Sequence, residues 1–262
     1  MTSVMPEMPM PARPRIHFVA SPSAPAQAAL HALVARYGQT PRQNADAIVA
    51  LGGDGLMLQT LHDGGGLPVY GMNCGTIGFL MNDYAEDGLP ERVAAAEEAV
   101  INPLAMRAET ADGTMHEALA INDVSVLRAG PQAAKLRISV NGQVRLAELV
   151  CDGAIVCTPA GSTAYNYSAH GPILPIGSDV LALTAVAAFR PRRWRGAILA
   201  KNAVVRFDVI EPDKRPVMAD ADGRSVRPVL WVEIRSEPRI VHRILFENGH
   251  GLGERLMREQ FV

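Results

Sequence analysis

The chain has 262 residues, of which 48% are hydrophobic and 20% charged, with a formal net charge of −2. This suits a globular protein of one large or two modest domains with ample core, and excludes a disordered or fibrous chain. The balance of charge supplies no overall basic field for nucleic acid or acidic membrane, and the cluster Arg190, Arg192, Arg193 and Arg195 is read as a solvated loop.

Met1 to Pro14 is rich in Met and Pro, carries Glu7 and lacks a continuous apolar core, so a flexible tail is expected there and not a signal peptide. Arg15 to Ala20 reads as a short strand. Beyond Ser21-Pro22-Ser23, Ala26, Ala29, Leu30, Leu33, Val34 and Tyr37 recur at helical spacing up to Gly38, a C-cap residue. Ala47 to Leu51 is an apolar run with the look of a buried strand. It stops at Gly52-Gly53-Asp54-Gly55, after which Leu56, Met57, Leu58 and Leu61 resume at helical spacing to His62. Leu67 to Asn73 supplies a third strand after Gly64 to Gly66, and Leu89 to Val100, with Pro90 in its first turn, is expected to be a helix. Strands alternating with helices predict a parallel sheet whose strand C-terminal ends form the binding edge, where Asp54 and Asn73 both fall.

From Pro103 the pattern changes to hairpins. Met106 to Thr110 turns through Ala111-Asp112-Gly113 into Met115, Glu117 and Leu119. Leu136, Ile138 and Val140 turn through Asn141-Gly142, and Asp222-Gly223 separates Pro216-Val217-Met218 from Val226. The expectation is an α/β domain over 15–102, a β-rich domain over 103–235 and a C-terminal segment, 236–262, that returns to the first domain with a short helix at Gly253–Gln260. The longest apolar stretch, Val180 to Phe189, falls short of the roughly 18 residues of a spanning helix, so nothing is expected to cross a membrane. It is a plausible contact surface between copies. Cys74, Cys151 and Cys157, odd in number and without C-x-x-C spacing, argue for a reducing compartment and against disulfides or a zinc site. Cytoplasmic localisation is expected.

Four stretches carry chemistry. The Gly52–Gly55 turn delivers a carboxylate into bare backbone at a helix start, the layout of a phosphate site with an acid or base inside it. On this stretch alone an ordinary strand-to-helix turn with a solvent-facing Asp54 is as good a reading, and the full G-x-G-x-x-G fingerprint is absent because Leu58 stands at its third glycine. Gly71 to Leu80 follows a strand with further glycines, and Phe79 either stacks on a flat ring or fills core. Asn122-Asp123 sits inside the apolar strand-like run Ala120 to Val124, where burial without partners is costly, so a ligand or a network is required. The last stretch, Asp152-Gly153, leads through a strand into Thr158-Pro159-Ala160-Gly161-Ser162-Thr163-Ala164-Tyr165, whose hydroxyls suit ribose, phosphate and a base edge. Ser162 lacks a G-x-S-x-G elbow and the histidines lack H-E-x-x-H spacing, which speaks against a hydrolase triad and for structural or exposed histidines.

In order and approximate spacing, these blocks resemble the bacterial NAD kinase family over about Ala45 to Arg193. The Gly-Gly-Asp-Gly element is shared with lipid kinases and phosphofructokinases, whereas Asn122-Asp123 with Thr158 to Tyr165 is specific. The resemblance implies an α/β N-terminal domain, a β-sandwich C-terminal domain, a site between them and a homodimer or homotetramer. It implies transfer of a phosphoryl group from ATP or polyphosphate, with Mg2+ or another divalent cation, to the 2′-hydroxyl of the adenosine ribose of NAD. By that resemblance Asp54 is the base, and Gly52, Gly53 and Gly55 hold phosphates, with Asp54 and Gly55 also touching NAD. Asn122 and Asp123 hold a ribose, Asp152, Thr163, Ala164 and Tyr165 line the pocket, Ser168 and Ala187 lie at its rim, and Phe79 packs on the adenine side.

Leu56 stands where many members have Thr, Asp123 where many have Glu, and Val150 where some carry an Arg that contacts NAD. No residue is assigned to a metal. With no Walker lysine after Gly55, magnesium is expected to arrive with the nucleotide. A lipid kinase would want a broad apolar cleft in place of Asn122, Asp152 and Thr163. A non-catalytic dinucleotide sensor would have no use for Asp54.

Overall fold

The computed structural model describes residues 10–75 and 78–247. Among these residues, one compact unit is built from those up to Val100 together with 242–247, and the other from Ile101–Val241. In chain order the first contains β1 (Ile16–Ala20), α1 (Ala24–Tyr37), β2 (Ala47–Gly52), α2 (Asp54–Asp63), β3 (Val69–Asn73), α3 (Leu89–Ala94) and β4 (Glu97–Ile101). The second contains β5 (Leu104–Thr110), β6 (Met115–Ala120), β7 (Asp123–Arg128), β8 (Ala134–Val140), β9 (Gln143–Cys151), β10 (Gly153–Cys157), α4 (Tyr165–Ser168), β11 (Val180–Val186), β12 (Gly196–Ala200), β13 (Val205–Val209), β14 (Val217–Ala221), β15 (Arg224–Val226) and β16 (Val229–Ser236). A last strand, β17 (His242–Phe246), belongs to the first unit.

The first unit is an α/β layer on a five-stranded sheet of order β1-β2-β3-β17-β4, in which β1, β2, β3 and β17 pair parallel. Every residue of β2 is buried, as expected of a parallel strand covered on both faces. Side chains alternate across the sheet: Ile16, Phe18, Val49 and Leu51 pack with Ala26, Ala29 and Leu33 of α1 in one apolar cluster. Helix α1 ends where Gly38, at φ 78°, donates its N–H to Val34.

The second unit is a β-sandwich. Its six-stranded sheets run β12-β11-β10-β7-β14-β15 and β6-β5-β16-β13-β8-β9, and the inner faces of both join a single apolar core. Asn141 and Gly142, at φ 52° and 75°, make the two-residue turn that this pair favours, and Asp222 and Gly223, at 48° and 89°, repeat it.

Several expectations are corrected. The helix expected over Leu89 to Val100 ends at Ala94, and Glu97–Ile101 is the edge strand β4, where β-branched Val100 and Ile101 before Pro103 favour extension. Ala120 to Val124 is not one strand, because the chain leaves β6 at Ala120, crosses to the other sheet through Ile121 and Asn122, and enters β7 at Asp123. Within Val180 to Phe189, Leu181 to Ala185 are buried between β10 and β12, which leaves Phe189 as the exposed apolar end of the stretch. The exposed apolar side chains nearby are Phe189 and Ile198. The tail's first nine residues and the helix expected at Gly253–Gln260 lie outside the described residues. Among the described residues, no helix is long and apolar enough to cross a membrane. Cys74, Cys151 and Cys157 are free thiols.

Candidate active site

The Gly-Gly-Asp-Gly stretch is a strand-to-helix junction. Gly52 ends β2, Gly53 is the extended N-cap of α2, and Asp54 is the first helical residue, so the carboxylate sits on a helix start and not in a loose loop. Gly52 is closely packed: a Cβ there would lie 3.0 Å from Leu56 Cδ2 and 3.3 Å from Ser21 Cβ, so those side chains would have to shift. Gly53 and Gly55 are different. A Cβ on either meets nothing within 4 Å, and neither occupies the left-handed region. Steric contact within the chain therefore does not demand glycine at 53 or 55, while the amides of the first turn of α2, which lack helical partners, favour an anion there.

Asp54 joins two of the sequence blocks. Its Oδ2 accepts the N–H of Phe79 at 2.9 Å and its Oδ1 accepts the N–H of Leu80 at 3.0 Å. A Cβ on Gly78 would come within 3.2 Å of the same Oδ1 and 2.6 Å of Met81 Cγ, so a glycine at 78 lets this loop close on the carboxylate. Two amides fix the carboxylate plane, and an ionised carboxylate has about four acceptor positions, so capacity for an alcohol proton is left over. The Phe79 ring is half-buried.

The other blocks meet at one end of the sandwich. Cys157, the last residue of β10, pairs with Asp123, the first of β7, and Ala221, the last of β14, pairs with Val124. The next residues of each strand therefore converge. Thr158 donates its N–H to the Asn122 carbonyl at 2.9 Å and its Oγ1 to the Ile121 carbonyl at 2.7 Å, while Gly161 donates to Thr158 Oγ1 at 3.1 Å. Asp222, in the β14–β15 turn, accepts the amides of Ile121 at 2.5 Å, Asn122 at 3.1 Å and Asp123 at 3.3 Å. The network expected around Asn122-Asp123 exists, and Asp222 is its centre.

Two polar groups there remain unresolved by the fold. Asn122 Oδ1 is buried with no hydrogen-bond partner among the described residues. Burial first, then the charges of Asp222 and Asp220, push the Asp123 carboxyl up to about 7. An orphaned buried acceptor and a carboxyl held near neutrality mark a place where a hydroxyl-bearing ligand would satisfy both.

Thr163 ends the short helical turn Ala160–Thr163, and Ala164 leads into α4. Buried Asn166 clamps this segment, donating to the Ser162 and Pro172 carbonyls at 3.0 and 2.9 Å and accepting from Thr184 Oγ1 at 2.6 Å. Tyr165 and Ser168 are left exposed on the same turn. Asp152 and Ala187 are not brought to this end. Asp152 precedes β10 and Ala187 follows β11, at the edge opposite Thr158; six residue steps separate Asp152 from Thr158, roughly 20 Å along a strand. Asp152 instead receives Arg128 Nε at 2.7 Å. Val150 there pairs with the Arg190 backbone, its N–H donating to the Arg190 carbonyl at 2.8 Å.

Sequence reading missed Asp222, whose Asp-Gly pair signals only a turn, and the Phe79–Leu80 amides on Asp54, which lie too far along the chain for any spacing rule. Among the described residues, no group of three or more His, Cys, Asp or Glu side chains is placed to hold a metal ion.

Residues 121–231 match the family described as ATP-NAD kinase C-terminal domain. A NAD kinase of Cereibacter sphaeroides is 72% identical over 250 residues, 95% of this chain and 98% of the relative. Among solved structures, a yeast NADH kinase complexed with NADH superposes with a TM-score of 0.79 at 19% identity, covering 94% of this chain and 86% of that one. An Archaeoglobus fulgidus NAD kinase in complex with ATP gives 0.72 at 24% identity, covering 94% and 97%. At those identities the two structures speak for the fold.

Proposed function

The chain belongs to the NAD kinase family, and from that premise we propose how its residues divide the work of phosphorylating NAD. It is a phosphotransferase acting on an alcohol acceptor, with NADP as product. The donor is ATP, taken up as its magnesium complex, and the acceptor is the 2′-hydroxyl of the adenosine ribose.

The observation that carries this division is the pair of glycines flanking Asp54, which the chain's own packing does not require. A bulky anion approaching the first turn of α2 does require them. The donor's phosphates lie against Gly53, Gly55 and the α2 amides, with Gly52 shaping the turn beneath. Asn122 and Asp123 hold the acceptor ribose: the orphaned Asn122 Oδ1 accepts from one hydroxyl, and Asp123 exchanges hydrogen bonds with another. Thr163, Ala164, Tyr165 and Ser168 line the remainder of the dinucleotide site, and Phe79 covers a base. Asp152, paired to Arg128 beside Ala187 at the opposite edge, is outside the acceptor-ribose cluster.

In the transfer step the ribose 2′-oxygen attacks the terminal phosphorus, forming a new O–P bond as the bond to the bridging β–γ oxygen breaks and ADP leaves. The hydroxyl proton passes to the Asp54 carboxylate, which the Phe79 and Leu80 amides hold in place. Such a reaction needs positioning and charge stabilisation more than covalent work from the protein. Free thiols fit a reducing cytoplasm, and exposed Phe189 and Ile198 fit a homo-oligomer.

Incubation of the purified protein with NAD, ATP and magnesium tests the assignment. A product one phosphoryl group heavier than NAD that an NADP-specific dehydrogenase reduces supports it. Phosphorylation at any other hydroxyl, or binding of NAD without turnover, overturns it.

A further inference from the structure

Asp222 directs its carboxylate away from its own hairpin. The β14–β15 turn needs positive φ at its two central residues, which Asp222 and Gly223 supply at 48° and 89°, and asparagine fills the first of these positions at least as well. The turn is secured by the other acid, Asp220, which accepts the Gly223 N–H at 2.7 Å and the Ser225 hydroxyl. Asp222 reaches instead to the segment between β6 and β7, about a hundred residues earlier in the chain.

Three successive amides, those of Ile121, Asn122 and Asp123, converge there on its two oxygens. Such a nest is filled by a carboxylate, which accepts on both atoms, and not by a side-chain amide, which accepts on one. Ile121 and Asn122 lie between strands, where no ladder of strand hydrogen bonds fixes the backbone. Thr158 ties down their carbonyls, and Asp222 ties down their amides.

Electrostatics argues against a carboxylate at 222 for stability alone. Asp222 and Asp220 both act on Asp123, and the Cys157 thiol, opposite Asp123 on β10, is raised partly by the Asp123 charge. Among the described residues, no cation offsets these charges at Asp123. A neutral asparagine would serve the turn and spare the repulsion, so the acid at 222 calls for another explanation.

We propose that Asp222 is a positioning residue for the acceptor dinucleotide, its carboxylate holding the crossover at Ile121 to Asp123 so that Asn122 and Asp123 meet the ribose in one fixed arrangement. The inference rests on the reading of Asn122 and Asp123 as the ribose pair. The charge of Asp222 also keeps Asp123 protonated toward neutral pH, so that Asp123 donates to a ribose oxygen while Asn122 Oδ1 accepts from a hydroxyl.

Kinetics and NAD titration of the full chain test this with three variants. Asp222→Asn keeps a residue at ease at positive φ and removes the charge and one acceptor. KM for NAD rises at least about fivefold while KM for ATP stays within about twofold. The pH at which NAD binding weakens, as Asp123 ionises, moves down by about half a unit or more. Ser225→Ala removes the hydroxyl on Asp220 and is the control for a weakened hairpin, with KM for NAD within about twofold of wild type and that pH unmoved. A wild-type KM for NAD in Asp222→Asn overturns the inference, as does a raised KM with an unmoved pH, which any loosening of the fold would give. So does a Ser225→Ala enzyme that reproduces both changes. Amide hydrogen exchange of the wild-type protein adds a measurement independent of any variant: without NAD the Ile121, Asn122 and Asp123 amides are protected, and exchange at the rate of an open chain overturns the inference. Asn122→Ala separates the two readings. An unchanged KM for NAD in that variant sinks the ribose assignment itself, whereas a raised one beside a wild-type Asp222→Asn sinks only the role of Asp222.

Discussion

Gly161 lies so close to Asn122 that a Cβ on it would sit 2.1 Å from the Asn122 carbonyl oxygen and 2.5 Å from its Cα. Two blocks nearly forty residues apart are thus one piece of structure, locked further by Thr158 on the Ile121 and Asn122 carbonyls. Gly161→Ala forces backbone apart in a packed place. The expected cost is about 1–3 kcal/mol, a fall in Tm of roughly 3–10 °C for a chain of this size. Calorimetry gives the Tm, and titration of the surviving folded protein shows weakened NAD binding.

Gly53→Ala makes the opposite prediction, since its new methyl group meets nothing within 4 Å in the chain. The Tm stays within about 2 °C, while kcat/KM for ATP drops at least about tenfold because the methyl occupies the space of a phosphate. A variant as active as wild type would show that the glycine is there for some reason other than a ligand.

Asp54→Asn keeps the shape of the side chain and removes the base. Turnover is expected to fall about 100- to 10,000-fold, with the dissociation constant for NAD changed no more than a few-fold. Because an amide nitrogen must now face either the Phe79 or the Leu80 N–H, one of the two hydrogen bonds is lost and stability falls by about 1 kcal/mol. Single-turnover kinetics separate the chemical step from binding. Near-normal turnover would move the base elsewhere, and Asp123, itself held near neutrality, is the next carboxyl to substitute.

Asp123 predicts a pH dependence of stability. Burial, with Asp222 and Asp220 nearby, raises its folded value to about 7, whereas an unfolded aspartate releases its proton near pH 3.9. Between about pH 4 and 7 the native state therefore binds more protons than the unfolded one. This contribution to stability is complete below that window, falls as pH rises through it, and is gone above about 7. Asp123→Asn, which cannot ionise, flattens this part of the profile. Denaturant melts of both proteins between pH 5 and pH 8 measure the difference, and parallel profiles would assign the slope to other groups.

Local chemistry made much of this protein readable without coordinates. The alternation of apolar runs with Asn-Gly, Asp-Gly and Gly-Gly-Asp-Gly punctuation reflects backbone preferences of the residues themselves, so the strand-helix-strand order up to Asn73, the hairpin turns at Asn141 and Asp222, and the four site blocks followed from neighbours in the chain. The helix over Leu89 to Val100 was half lost because its second half found a strand partner, which propensity does not know. What tertiary structure alone decided was which blocks meet. Asp222 reaches amides about a hundred residues earlier, the Phe79 loop closes on Asp54, and Asp152 falls at the far edge of β10. Each depends on strand order and register, which are set by the packing of whole faces and leave no mark in the spacing of any one segment.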